Sequence, residues 1–257
     1  STSQLELISM CGEAYRRAYI EKEKLPPGIA MLRGTGVHGG AEANFLQKIE
    51  THRDLPVSDI VDAAVAAFDL ELKAGVSLDR EEESIGAANV IGEARDDVAD
   101  MAEVHAKEQA PDYQPIAVEE LVKIELPGPR DLWGVIDLRD DADRVTDLKT
   151  AKRSKNASDA DDSIQLSIYA AAFEALTGRA PASVRLDTIV QTKTSTKRQL
   201  LESKRGPDDL RALSARINAA NAAIDAGVFL PASPSHWKCS PKWCGFHSTC
   251  PFVVNRS

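Results

Sequence analysis

Two acidic residues and a lysine near the middle of the chain have the types and spacing of a catalytic metal site. Asp147 and Lys149 lie two residues apart in "RVTDLKT", and alternate residues of a strand point to one face. Asp137 precedes them in "LWGVIDLRD", and a turn at 140–143 places it opposite 145–147. Paired carboxylates are ligands that Mg²⁺ or Mn²⁺ prefers, and a nearby lysine can hold a phosphate. The pattern therefore predicts hydrolysis of a phosphodiester bond.

Residues elsewhere in the chain add to this interpretation. His38 lies in "RGTGVHGGAE" near a predicted helix start, where an imidazole nitrogen could act as a ligand. Gln165 and Tyr169 are four residues apart, so they share one face of a later predicted helix. An isolated D-x-K is more often part of a solvated hairpin, and these neighbours favour a site instead. Glu119 or Glu120 is a further candidate acid, and the sequence does not fix which one faces inward.

Four cysteines form a second candidate centre. Cys11 lies near the N-terminus, and Cys239, Cys244 and Cys250 lie within "WKCSPKWCGFHSTCP". In a cytosolic chain such a set predicts a metal or cluster site before a pair of disulfides. Four thiolates suit tetrahedral zinc or an iron–sulfur cluster, and composition alone does not choose between them.

Four short motifs follow one another in a characteristic order. They read "GTGVH" from Gly34, "GVID" from Gly134, "DLK" from Asp147 and "QLSIY" from Gln165. In order and spacing the chain resembles the RecB-like exonuclease branch of the PD-(D/E)xK nuclease superfamily. The resemblance implies a metal-dependent DNA exonuclease acting on single-stranded ends, in recombination, repair or phage DNA metabolism.

The resemblance also implies roles for individual residues. The metal ion, Mg²⁺ or Mn²⁺, is held by His38, Asp137, Asp147 and the carbonyl of Leu148. Lys149 is catalytic together with the two aspartates. Gln165 and Tyr169 lie close to the site and to the path of the DNA.

A subgroup of this branch, including AddB and the CRISPR-associated exonucleases, resembles the chain in its cysteines as well. Those proteins carry one cysteine in an N-terminal helix and three near the C-terminus, and together these hold a 4Fe–4S cluster. The resemblance implies that Cys11, Cys239, Cys244 and Cys250 are the ligands here, with zinc as the less favoured alternative. The chain departs from the pattern between Cys239 and Cys244, where four residues intervene instead of two.

The charge distribution indicates where DNA would bind. The net charge is −9, and residues 79–112 alone carry −8, so that acidic block is not expected along the DNA path. Lys152, Arg153 and Lys155 follow the D-x-K motif directly and are candidates for phosphate contacts. The resemblance implies single-stranded DNA and a recombination or replication protein as partners, and no membrane partner is expected.

Two other functions remain open at this point. One is a non-catalytic or partner-dependent DNA-binding module on a nuclease fold, and the other is a structural zinc protein with solvated acids. The intact D-x-K and His38 favour the enzyme, since an inactive relative would be expected to lose one of them. A G-x-x-x-x-G-K-[ST] phosphate loop does not occur in the sequence, so ATP use by this chain is not expected.

Sequence patterns predict an α/β fold with one crossing helix between its hairpins. Helices are predicted over 1–20, 31–50, 58–74, 86–108, 161–177 and 206–227, and strands over 117–126, 132–140, 144–150, 183–193 and 197–203. The expected architecture is a central mixed β-sheet flanked by helices, with a restriction-endonuclease-like core, a helical N-terminal region and a cysteine-rich C-terminal tail. One nuclease domain is expected over 1–257, with a helical acidic insertion at 51–112 and a cluster-binding tail at 228–257 joined to Cys11.

Length and composition are those of a globular protein. The 257 residues are 43% hydrophobic and 28% charged, enough for a substantial core. Neither an apolar run of 18 residues nor a signal peptide is present, so we expect a cytoplasmic protein of a bacterial or phage-infected cell.

Overall fold

A mixed five-stranded sheet forms the centre of the protein. The computed structural model describes residues 1–125 and 130–253. The strands are β1 (Pro115–Ile124), β2 (Leu132–Asp140), β3 (Arg144–Ala151), β4 (Ser183–Gln191) and β5 (Thr196–Ser203), and they lie in sequence order. β3 and β4 are parallel, and the other neighbours are antiparallel. The predicted mixed sheet is thereby confirmed; the last residue of the predicted strand 117–126 lies outside the described residues.

Helices cover both faces of the sheet. They are α1 (Thr2–Met10), α2 (Gly12–Tyr15), α3 (Ile29–Thr51), α4 (Val57–Leu72), α5 (Arg80–Ile85), α6 (Ala87–Val104), α7 (Ser158–Asp161), α8 (Ile164–Thr177) and α9 (Pro207–Asp225). Helix α8 packs on one face, where Tyr169 and Phe173 contact Val145 and Val184. Helix α3 packs on the other face, where Phe45 joins a cluster with strand residues of β2 and β3. The predicted flanking of the sheet by helices is confirmed.

The glycine-rich run in α3 serves close helix packing. A methyl group added at Gly36 would lie 2.9 Å from the Phe68 Cβ, and one added at Gly40 would lie 2.8 Å from the Ala64 Cβ. Each glycine inside a helix costs about 1 kcal/mol relative to alanine, but only glycine lets α4 approach this closely. Because these glycines are accommodated within the helix, α3 extends from Ile29 through the glycine-rich run. His38 lies well inside the helix. Its predicted place near a helix start is corrected accordingly.

The acidic block forms helices that pack against α3. Val98 and Met101 of α6 share a fully buried cluster with Phe68 of α4 and Leu32 of α3. Beyond α6 the chain continues in a π-helical turn over His105–Gln109. The expected helical character of this block is thus observed, while its assignment as an insertion in a single domain stays a prediction.

The predicted N-terminal helix over 1–20 is interrupted at Cys11. Cys11 is extended, with φ −157° and ψ 102°, and it separates α1 from α2. The break aligns the chain with the C-terminal tail, because the Gly12 N–H donates to the Leu230 carbonyl at 2.7 Å. Any side chain at Gly12 would collide with Leu230, since an added Cβ would lie 2.7 Å from its backbone nitrogen. Contact with the tail thus outweighs helix propensity here.

Within the described residues, none of the helices combines the length and the apolar character that crossing a bilayer requires.

Candidate functional site

Strands β2 and β3 separate at the predicted acidic residues. They pair at Leu138–Thr146 and Arg139–Val145, which confirms the register predicted from the turn. Beyond these pairs a side chain replaces the backbone hydrogen bonding between the two strands. The Asp137 Oδ2 accepts a hydrogen bond from the Leu148 N–H at 2.9 Å. We call the group of Asp137, Asp147 and Lys149, at this separation, the strand fork.

Helix α8 holds Asp137 from the other side. The Tyr169 hydroxyl donates to Asp137 Oδ1 at 2.7 Å, and Gln165 Nε2 donates to the Tyr169 oxygen at 3.0 Å. Burial raises the pKa of Tyr169 well above its usual range, and the charge of Asp137 raises it further, so the hydroxyl keeps its proton. The helix is positioned by Ser163, whose hydroxyl accepts from the Leu166 N–H at 3.1 Å and starts the helix at Ile164. The structure therefore brings both predicted α8 residues to the fork.

Asp147 and Lys149 form the other half of the fork. Asp147 is 1% exposed, and Lys149 Nζ lies 2.8 Å from its Oδ1. Burial raises the pKa of Asp147 to about 7; the charge of Lys149 opposes this rise and that of Asp137 adds to it. Burial alone would lower the pKa of Lys149, but the two carboxylates raise it, so its ammonium stays charged. Two acids facing one lysine leave the fork short of positive charge.

His38 reaches the fork from α3, beside one of the two glutamates. Its Nδ1 lies 4.0 Å from Asp137 Oδ2 and 3.9 Å from Glu119 Oε1, so these contacts are electrostatic. Burial alone would lower the pKa of His38, and the two carboxylates raise it above its ordinary value. Glu120 instead binds Arg139, with Nε–Oε2 at 2.9 Å. The structure thus separates two acids that the sequence left equivalent, and Glu119 joins the site.

Glu119 also has an unusual backbone. Its φ is +47°, in the left-handed region that residues other than glycine rarely adopt. Such strain persists only where the surroundings hold it, and it is concentrated at functional sites. No sequence signal marks this conformation, which lies between the ladder pairs Val118–Leu138 and Glu120–Ile136.

The fork has the types of ligand atom that a hard divalent cation prefers, but these atoms are not arranged in a metal-binding geometry. Carboxylate oxygens with one imidazole nitrogen match the preferences of Mg²⁺ or Mn²⁺. Among residues 1–125 and 130–253, however, no group of three or more His, Cys, Asp or Glu side chains is arranged to hold an ion. The carboxylates are hydrogen-bonded to Lys149, Tyr169 and the Leu148 N–H instead.

All four cysteines line one cavity between the N-terminal helices and the tail. The cavity is lined by Cys11, Cys239, Cys244 and Cys250 together with Phe246 and Pro231. The four thiols are free, and the Cys11 sulfur accepts a hydrogen bond from the Ala232 N–H at 3.3 Å. Burial raises the pKa of the Cys239 and Cys244 thiols. In the described chain they too fall short of a ready metal-binding group.

Arg17 fastens α2 and its continuation to the same tail. Its guanidinium donates to the Phe246 carbonyl at 3.3 Å and to Thr249 Oγ1 at 2.8 Å. It also lies 4.7 Å from the centroid of the Phe246 ring. Sequence reasoning did not assign this residue, because nothing in the local pattern indicates a partner more than two hundred residues away.

The predicted DNA-contacting residues lie outside the fork. Lys152, Arg153 and Lys155 are exposed on the loop that follows β3. The structure therefore places them beside the site and not within it.

A mixed sheet with paired acids and a lysine where two strands separate defines a nuclease-like α/β fold. The family model of the PD-(D/E)XK nuclease superfamily matches residues 1–251. The chain belongs to the PD-(D/E)XK nuclease superfamily.

A solved structure with low sequence identity shares this architecture. A protein from Eubacterium rectale described as a "putative exonuclease" superposes with a TM-score of 0.55 at 12% identity, covering 93% of this chain and 86% of that one. The structure of SSO0001 superposes with a TM-score of 0.40 at 16% identity, covering 83% of this chain and 96% of that one, which is too low for a fold argument. No curated protein matches the chain.

Proposed function

We propose that the protein is a RecB-like, metal-dependent DNA exonuclease that hydrolyses phosphodiester bonds at single-stranded DNA ends. The observation that carries the proposal is the strand fork, where two buried acids meet one lysine beside His38. Such an excess of buried negative charge is costly unless a cation balances it. A buried carboxyl with a raised pKa, as Asp147 has, is a frequent feature of catalytic sites.

Each residue at the fork has its own role in the proposed reaction. His38, Asp137, Asp147 and the Leu148 carbonyl would hold Mg²⁺ or Mn²⁺, and Asp147 would then turn from Lys149 toward the ion. When bound, the ion would supply positive charge for the phosphate and would lower the pKa of a water molecule. Lys149, released from Asp147, is placed to hold a phosphate oxygen or to orient the attacking water. Tyr169 and Gln165 keep Asp137 in position.

Two features support DNA as the substrate. The superfamily acts on phosphodiester bonds, and the exposed cations after β3 lie next to the fork. The description of the Eubacterium rectale neighbour as a "putative exonuclease" agrees with action at strand ends. We place the enzyme in recombination, repair or phage DNA metabolism in the bacterial cytoplasm, working with a recombination or replication protein.

A nuclease assay tests this proposal. Single strands labelled at the 5′ or 3′ end are incubated with Mg²⁺ or Mn²⁺ and with wild type, Lys149→Ala, Asp137→Ala and the exposed-lysine control Lys73→Ala. We expect shortening of the strand by wild type and the control, and none by the two fork variants. Activity that survives in both fork variants would remove the mechanism. Binding without hydrolysis in wild type would favour the non-catalytic DNA-binding module.

We also propose that the cysteine cavity holds a 4Fe–4S cluster. The support is the convergence of four thiols on one cavity and the N–H donor at Cys11, since such hydrogen bonds tune cluster sulfurs. The cluster would be structural, because joining Cys11 to Cys239 closes a long loop and restricts the unfolded chain by several kcal/mol.

Metal analysis tests the cluster separately from the nuclease. We expect a brown protein with iron and inorganic sulfide, and a large loss of both metal and melting temperature in Cys11→Ala. Ser9→Ala, a neighbouring change of similar size, should keep them. A colourless protein with stoichiometric zinc would select the zinc alternative, and a Cys11→Ala protein with full metal content would contradict either centre.

A further inference from the structure

The end of the sheet beyond the fork carries a row of cations on two separate segments. Strands β3 and β4 are parallel, so their C-terminal ends lie at the same edge. The loop over 152–157 follows β3, and the turn of the β4–β5 hairpin follows β4. We call five exposed cations of this loop and of the β4–β5 hairpin the basic edge: Lys152, Arg153, Lys155, Lys193 and Lys197.

The cations of the basic edge differ from their basic neighbours in the sheet. Arg185 and Arg198 are each bound by an acid, with Arg185 Nη2 2.6 Å from Glu202 and Arg198 Nη2 2.7 Å from Asp187. For the basic edge, no such carboxylate partner is found in the part of the chain that the structure describes. Its charge is therefore available to an external anion.

Strand register places part of the basic edge on the same face as the catalytic lysine. Lys149 is paired with Thr188, and Thr188 is paired with Gln199 of β5. Lys197 lies two residues from Gln199 on that strand, so its side chain shares the face of Lys149. Two strand spacings separate them sideways, roughly 10 Å. A nucleic acid held at Lys149 thus reaches Lys197 without leaving this face of the sheet.

Hydrogen bonds fix both segments of the basic edge. The Lys155 N–H donates to Gln199 Oε1 at 2.7 Å, and Gln199 Nε2 donates to the Lys155 carbonyl at 3.0 Å. This reciprocal pair fastens the loop to β5. At the hairpin tip, Thr192 Oγ1 accepts from the Ser195 N–H at 3.0 Å, which orders the turn that carries Lys193. The cations therefore project from ordered backbone.

We propose that the basic edge binds the phosphates of the single-stranded DNA segment next to the scissile bond, with Gln199 as a positioning residue for the loop. The inference rests on the proposed function and extends it to the β4–β5 hairpin. Charge complementarity carries it, because five unbalanced cations lie together in a protein whose net charge is −9. The acidic residues 79–112 would repel DNA elsewhere and favour this edge.

Salt-dependent binding of a single strand tests the proposal. Dissociation constants for a labelled oligonucleotide are measured at several salt concentrations in EDTA, which prevents hydrolysis. Losing two phosphate contacts in Lys193→Ala/Lys197→Ala should reduce the slope of log K against log salt by about 1.4. The matched double variant Lys24→Ala/Lys73→Ala removes two exposed lysines elsewhere and should leave the slope unchanged. An unchanged slope in the hairpin variant, or an equal fall in the control, would overturn the proposal.

Kinetics separate binding by the basic edge from chemistry at the fork. For a long strand, the hairpin variant and Gln199→Met should raise KM and leave kcat unchanged. For a dinucleotide too short to reach the edge, both should act as wild type. Gln199→Met keeps the side-chain size but removes both hydrogen bonds. A Gln199→Met protein with wild-type KM and kcat on the long strand as well as on the dinucleotide would refute the positioning role. The salt dependence of binding is also measured with duplex DNA. If the hairpin variant lowers the slope of log K against log salt for the duplex and not for the single strand, the single-strand assignment is refuted.

The two proposals fail in distinguishable ways. If wild type hydrolyses neither the long strand nor the dinucleotide, the exonuclease proposal fails, while the salt slope still decides whether the basic edge binds DNA.

Discussion

Two buried aspartates on adjacent strands differ in how their charge is balanced. Asp147 on β3 is 1% exposed and Asp187 on β4 is 0% exposed. The register pairs Asp147 with Leu186 and Leu148 with Asp187, so the two acids are one step apart on opposite faces of the sheet. By residue type, burial and strand position they are nearly equivalent.

Asp187 is fully compensated. Arg198 donates to both of its oxygens, with Nε–Oδ1 at 2.9 Å and Nη2–Oδ2 at 2.7 Å, and the Tyr113 hydroxyl donates to Oδ2 at 2.7 Å. Burial raises the pKa of Tyr113, so this donor keeps its proton. Gln109 adds a contact from the π-helical turn to the Asp187 carbonyl at 3.3 Å. The arrangement ties α6 and its continuation to the sheet, which is a structural role.

Asp147 is compensated by one lysine and faces a second acid. Burial raises its pKa to about 7; the charge of Lys149 offsets this rise only in part, and the charge of Asp137 adds to it. The comparison teaches that burial of an acid does not identify a functional site, whereas incomplete compensation of that acid does. At the fork a cation would complete the balance that Arg198 provides for Asp187.

The largest expected effect is on catalysis. Lys149→Ala should lower the rate of strand hydrolysis by about 10³-fold, because in the proposed site it removes the charge that would act on the reacting phosphate. The free energy of unfolding should fall less than in Asp187→Asn, because Lys149 is partly exposed and Asp147, whose pKa is already raised to about 7, can bind a proton when its partner is lost. Turnover and urea denaturation of the same preparations check both statements. A variant that loses both activity and fold would place Lys149 with the structural residues.

The next effect is on stability at the compensated site. Asp187→Asn should lower the free energy of unfolding by about 3 kcal/mol, because it leaves Arg198 without its buried partner. The control is Asp69→Asn, which breaks an exposed pair with Arg95 and should cost less than about 1 kcal/mol. Equal costs for the two variants would show that Asp187 is not a structural anchor.

The pH dependence of the free energy of unfolding provides a further test of the Asp187 network. Burial lowers the pKa of His105 to about 4, and its Nδ1 lies 2.6 Å from Gln109 Oε1 in the Asp187 network. In the unfolded chain its pKa is about 6.5, so protonation favours unfolding as pH falls below that value. Between pH 7 and pH 5 this group should cost about 2 kcal/mol of stability.

Urea denaturation at both pH values measures this contribution. His105→Phe should show a pH dependence smaller by that amount, whatever its stability at pH 7. An identical pH dependence in wild type and variant would contradict the neutral, buried histidine.

The smallest effect expected is at Tyr169. Tyr169→Phe keeps the ring in its cluster and removes one hydrogen bond to Asp137. A hydrogen bond to a charged group is worth about 1.5 kcal/mol or more, so the rate should fall at least about tenfold. Wild-type activity in this variant would mean that Asp137 is positioned by Leu148 alone.

The elements of the fork follow from local patterns in the sequence. Strand β2 occupies the predicted 132–140, and the turn fixed the register that brings Asp137 near Asp147. The i, i+4 spacing of Gln165 and Tyr169 correctly placed both on one face of α8. These features depend on strand and helix periodicity, which is local.

Features that depend on distant contacts could not be predicted. Cys11 interrupts its helix because the tail packs against Gly12, and the glycines of α3 are set by α4. Asp140 lies in the turn predicted at 140–143, yet it is fully buried and its Oδ1 accepts a hydrogen bond from the Arg144 N–H at 3.1 Å. The difference between Asp147 and Asp187 depends in part on such contacts, because Tyr113 lies 74 residues before Asp187, whereas Arg198 lies on the adjacent hairpin strand β5.

One paired measurement tests the central claim that the fork is catalytic and the Asp187 network is structural. Asp147→Asn and Asp187→Asn are compared with wild type for Mg²⁺-dependent hydrolysis of a single strand and for the free energy of unfolding. We expect Asp147→Asn to be inactive and at least as stable as wild type. We expect Asp187→Asn to have a lower free energy of unfolding, while its folded molecules still hydrolyse the strand. An active Asp147→Asn protein, or an inactive but fully stable Asp187→Asn protein, would contradict it.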